Sequence, residues 1–67
     1  MITVNVNNQN HSFSEPVKLL ELLEQLGIKN SGIAVAIDNQ VISKTLWATT
    51  PLINGNNVLI IQAAQGG

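Results

Sequence analysis

The 67-residue chain closes on Gly66-Gly67, and this pair has the clearest chemical use of anything in the sequence. Two glycines make a thin backbone without side chains, able to enter a narrow slot and present a terminal carboxylate at its bottom. At the ~7% glycine of average proteins, two together at a given place arise by chance roughly 0.5% of the time. A carboxylate is a poor acyl donor until it is activated, typically as a mixed anhydride with AMP. That step calls for a separate ATP-using enzyme. The bland alternative is a small-residue terminus without a role.

Other chemistries lack their parts. There is no cysteine, hence no nucleophilic thiol, no disulfide and no thiolate zinc site. With His11 as the single histidine and no tyrosine, a histidine-centred triad or a three-histidine metal site is excluded or starved of parts. His11 reads as an edge hairpin residue and Trp47 as a packing residue. Three lysines, no arginine and four acids give a formal net charge of -1, which leaves no basic stripe for nucleic acid. The longest apolar run, Ile33–Ile37, is far short of the ~20 residues of a membrane helix, so no membrane partner is expected. The N-terminus lacks a secretory pattern, which points to a cytoplasmic protein.

The length makes one small domain without room for a cleft between lobes. The 45% hydrophobic fraction is that of a folded chain. Below about 70–80 residues a core rarely supplies more than ~3–5 kcal/mol of net stability. A deep catalytic pocket would remove packing that such a core needs, whereas a docking surface asks nothing of the interior.

The elements that must position the tail follow from periodicity. Ile2-Thr3-Val4-Asn5-Val6-Asn7 alternates apolar and polar, the mark of a half-buried strand. Residues 7–10 carry turn chemistry, and a second strand over 10–14 would pair back with Phe13 inward. Ser14-Glu15-Pro16-Val17 reads as a helix start. Leu19, Leu20, Leu22, Leu23 and Leu26 then fill one side of the helix, with Lys18, Glu21, Glu24 and Gln25 on the other and Gly27 as the stop. Ile33–Ile37 suits a central strand, Asp38-Asn39-Gln40 a turn and Val41-Ile42 a short return. Residues 43–48 suit a helical turn that tucks Trp47 against the sheet. Asn54-Gly55 is a turn that aims the chain into a last strand over 57–63, a hairpin being the less favoured option. Apolar first and last strands place both near the sheet centre, parallel to each other. The expected fold is α+β: a mixed four- or five-stranded sheet packed on one main helix, in the order ββαββ.

This order, length and ending resemble the ubiquitin-like β-grasp proteins, and more narrowly the ThiS family, the sulfur carrier proteins of thiamine biosynthesis. The resemblance spans essentially the whole chain. It is carried by Leu19-Leu20-Glu21-Leu22-Leu23, by the run from Ile33 to Ile42, and by Trp47, Asn54-Gly55-Asn56 and Gly66-Gly67. Two departures stand out. The family usually has an acid where this chain has Asn56, and often Pro and Arg where it has Ser43-Lys44. The resemblance implies a β-grasp domain over 1–63 and a flexible diglycine tail over 64–67. It implies a carrier and not an enzyme, with no catalytic residue, no metal site and no bound cofactor of its own. An E1-like adenylyltransferase would use ATP and Mg to convert the Gly67 carboxylate to an acyl-adenylate. A persulfide sulfur donor would displace AMP to leave a thiocarboxylate, and thiazole synthase would take the sulfur. Two alternatives stay open: a carrier of the molybdopterin-synthase small-subunit type, and a non-covalent β-grasp binding module.

In the last strand Val58 and Ile60 point one way, and Leu59, Ile61 and Ala63 the other. If the first pair joins the core, the other three lie on the open face leading to Gly66 and Gly67, and form a partner-binding row. The alternative is that they are ordinary buried residues of a central strand.

Overall fold

The computed structural model describes residues 1–29 and 31–62. It contains a five-stranded mixed sheet in the spatial order β2-β1-β5-β3-β4, covered on one face by a single α-helix. The strands are β1 (Ile2–Val6), β2 (Gln9–Phe13), β3 (Ile33–Ile37), β4 (Gln40–Ile42) and β5 (Asn57–Gln62); the helix α1 is Leu19–Gln25. β1 and β5 run parallel, and every other neighbour is antiparallel. The expected architecture is therefore present, with five strands.

Both hairpins turn through two residues of positive φ: Asn7 and Asn8 after β1, Asp38 and Asn39 after β3. Positive φ at both central positions defines the turn whose twist matches paired strands, and Asn and Asp tolerate it best after glycine. Both turns are thus tighter than the spans 7–10 and 38–40 that the sequence suggests, and β2 begins at Gln9 instead of Asn10.

The helix start is corrected. Ser14, Glu15 and Pro16 lie before α1, not in its first turn, and the helix begins at Leu19. The intervening segment pairs with the chain before β5: Leu52 N–H donates to Val17 O at 2.9 Å, and Leu19 N–H donates to Thr50 O at 2.9 Å. These long-range bonds hold residues 17–18 extended, and Glu21 Oε1 then accepts the Lys18 backbone N–H at 2.8 Å to close the first turn. At the other end Gly27, at φ +72°, takes the left-handed cap position. Its N–H reaches Glu24 O at 3.1 Å, and that of Ile28 reaches Leu23 O at 3.0 Å. This pair of bonds stops a helix on glycine.

Leu19, Leu22 and Leu23 of α1 are fully buried against Val4, Val35 and Val58 of three adjacent strands. Trp47, in a 3-10 helix over Lys44–Thr49, closes one side of this core at 2% exposure, and its Nε1–H donates to Ile42 O at 3.0 Å. Among the described residues no polar or charged side chain is buried. The interior is given entirely to packing, which leaves the surface and the tail for function.

Candidate functional site

β5 lies between β1 and β3, and its alternation decides what the open face shows. Val58 is fully buried on the helix side, and Ile60 is partly buried against the same core. Leu59 and Ile61 point the opposite way and are 49% and 51% exposed. The open-face reading of the sequence thus describes where these two side chains stand. Ala63, Gly66 and Gly67 lie outside the described residues, as does the tail over 64–67.

The register extends the apolar surface beyond what the sequence reading named. Ala36 faces Leu59 and Ala34 faces Ile61 across the β3–β5 ladder, while Val41 faces Ala36 from β4. Small residues at 34 and 36 leave the leucine and isoleucine standing proud, and Val41 is 78% exposed. Ile42 packs inward, so its neighbour must point out.

The other half of the same face is polar and self-satisfied. Thr3 Oγ1 and Ser12 Oγ share a hydrogen bond at 3.2 Å, and Asn5 Nδ2 donates to Asn10 Oδ1 at 3.4 Å. The apolar half therefore sits on β5, β3 and β4, continuous with the strand that leads to the terminus.

Asparagine side chains fix where β5 lies. At one end of the β1–β5 ladder, Asn54 Oδ1 accepts the Thr3 N–H at 2.8 Å, and Gly55 N–H donates to Thr3 O at 2.8 Å. At the other end, Asn7 Oδ1 accepts from Ile60 N–H at 2.8 Å, and Asn7 Nδ2 donates to Ile60 O at 3.2 Å. Each carboxamide stands in for a peptide group and lengthens a short parallel ladder. Asn56 and Asp38 tie β5 to the β3–β4 turn: Asn56 Nδ2 donates to Asp38 Oδ2 at 2.8 Å, and Asn57 N–H to Asp38 Oδ1 at 2.9 Å.

Among the described residues no group of three His, Cys, Asp or Glu side chains could hold a metal ion. His11 lies opposite Val4 on the outer strand β2. One shallow cleft is lined by Ser12, Phe13, Ser14, Glu15, Glu21 and Gln25, and another by Gly27, Lys29, Ser31 and Gln62; Ser12 bonds Thr3, and among the described residues no serine of either cleft is hydrogen-bonded to a carboxylate. No helix of the described residues is long and apolar enough to cross a membrane.

Comparison with known proteins gives this arrangement a family. The chain is 38% identical over 47 residues to the sulfur carrier protein ThiS of Escherichia coli (strain K12), a match covering 70% of this chain and 71% of that one. The fold superposes on the crystal structure of the thiamine biosynthesis protein ThiS from Geobacter metallireducens with a TM-score of 0.83, at 20% identity, over 98% of this chain and all of that one. The solution structure of a thiamine biosynthesis protein from the same organism gives 0.77, at 20% identity, over 98% of this chain and 88% of that one. The family model described as "ThiS family" matches residues 2–67, Gly66 and Gly67 included. On this match the chain belongs to the ThiS family, the sulfur carriers of thiamine biosynthesis.

Proposed function

We propose that the Gly67 carboxyl group is where this carrier holds its sulfur, as a thiocarboxylate, and that β5 is the grip by which partners handle it. In the first step a carboxylate oxygen attacks the α-phosphorus of ATP on an E1-like adenylyltransferase. Magnesium there neutralises the phosphates, and pyrophosphate leaves. The terminal sulfur of a persulfide donor then attacks the acyl carbon and AMP departs. A second thiol cleaves the sulfur–sulfur bond, leaving the thiocarboxylate on Gly67 and a disulfide behind. Thiazole synthase is the acceptor. The chain needs no ATP, magnesium or metal site of its own, and these steps place it in the cytoplasm.

The observation that carries this reading is that the family match runs through Gly66 and Gly67 in a chain without cysteine, so its own terminus is the group left to bear sulfur. Leu59 and Ile61 support the docking role, as exposed apolar side chains in the middle of a sheet, leading to that terminus. Ala63 continues their alternation in sequence.

Intact mass spectrometry after incubation with the adenylating partner, ATP and a persulfide donor tests the loading step. Replacing oxygen by sulfur adds about 16 Da, and deletion of Gly67 abolishes the gain. Ile61→Lys is expected to keep the circular dichroism of the fold and to lose partner-dependent pyrophosphate exchange. Unchanged exchange would remove this face from the docking surface.

A further inference from the structure

Asn54-Gly55 is the sequence in which an asparagine most readily rearranges, because glycine leaves its own nitrogen unhindered. Here the pair forms a turn in which Asn56 N–H donates to Ile53 O at 2.9 Å, with Gly55 at φ +92° in the third position. That value belongs to the type II turn, which requires glycine or asparagine there. Both residues are exposed, so solvent has access.

We infer that Asn54-Gly55 is a latent deamidation site that the fold holds shut through Thr3, and that its conversion to isoaspartate unfastens this turn from β1. In the reaction the Gly55 nitrogen gives its proton to solvent base and attacks Asn54 Cγ. The N–Cγ bond forms, the Cγ–Nδ2 bond breaks and ammonia leaves, giving a five-membered succinimide. Water opens that ring at either carbonyl, to aspartate or to isoaspartate. Water enters, ammonia departs, and nothing is oxidised or reduced.

Both participants are occupied by one residue. The Gly55 N–H that must be lost is donated to Thr3 O at 2.8 Å. The Asn54 carboxamide that must swing onto that nitrogen accepts Thr3 N–H through Oδ1, also at 2.8 Å. Reaction therefore waits on an opening that separates this turn from β1. Aspartate at 54 keeps an oxygen for Thr3 N–H. Isoaspartate inserts a methylene into the backbone between the two bonds and displaces the Gly55 N–H from Thr3 O.

The test holds the full-length chain at mildly alkaline pH in buffer and in denaturing urea. Aspartate and isoaspartate at position 54 are quantified by mass spectrometry after cleavage at Lys44. Position 54 is expected to convert at least about tenfold more slowly in the folded chain. Rates within about twofold of each other would overturn the shielding. Thr3→Pro removes the N–H that holds Asn54 and keeps the carbonyl; its folded form, checked by circular dichroism, is expected to convert several-fold faster. If it does not fold, the urea comparison still decides. The isoaspartate-54 chain, separated by chromatography, is expected to melt below the unmodified chain. An unchanged melting temperature would overturn the unfastening.

Discussion

At position 56 the chain carries an amide where its family usually carries an acid, and the neighbouring side chain explains why that matters here. Asn56 Nδ2 donates to Asp38, whose other oxygen takes the Asn57 N–H, while Asn56 Oδ1 accepts the Ile53 N–H at 2.6 Å. A carboxylate at 56 keeps the last of these bonds but turns the first into a like-charge contact. Asn56→Asp is expected to lower stability by about 1 kcal/mol, read as an earlier urea midpoint with an unchanged slope. Asp38→Asn in the same background relieves the repulsion and is expected to recover part of the loss. A midpoint unmoved by Asn56→Asp would mean that this clasp contributes nothing to stability.

Among the elements, the β1–β5 ladder depends most on single side chains. Asn7 supplies a positive-φ turn position and two hydrogen bonds to Ile60. Asn7→Ala forfeits both bonds and meets the left-handed penalty, so a loss of about 2–3 kcal/mol is expected in urea unfolding. Asn7→Gly, which relieves only the backbone term, is expected to fall between the two. The sequence shows these asparagines as turn formers, since a local pattern reveals that a residue tolerates positive φ but not that its amide faces a strand more than fifty positions away. The same blindness explains the helix start. Ser14 and Pro16 carry local start signals, yet residues 17–18 are held extended by Thr50 and Leu52, so the helix waits until Leu19. What was legible rested on local alternation. The leucine face of α1, the run Ile33–Ile37, the tucked Trp47 and the outward phase of Leu59 and Ile61 each follow from spacing within one element. Val41 on the open face needed the register of β4 against β3.

For the molecule as a whole, a small apolar core means that one core side chain weighs heavily. Leu22 is fully buried where α1 crosses the sheet, and Leu22→Ala is expected to cost about 2–5 kcal/mol, comparable with the whole stability of a domain this size. Loss of the folded circular dichroism signal at ambient temperature, or a urea midpoint near zero, would report it. The sheet order has a consequence for synthesis. β1 with β2 and β3 with β4 are two hairpins that share no ladder; both attach only to β5, which is made after them. A nascent chain that has not yet supplied residues 57–62 is two loose ribbons under an unseated helix, and an isolated hairpin is marginal in water. Such a fragment is expected to be cleared by proteases, so that only chains translated past β5 persist as folded protein.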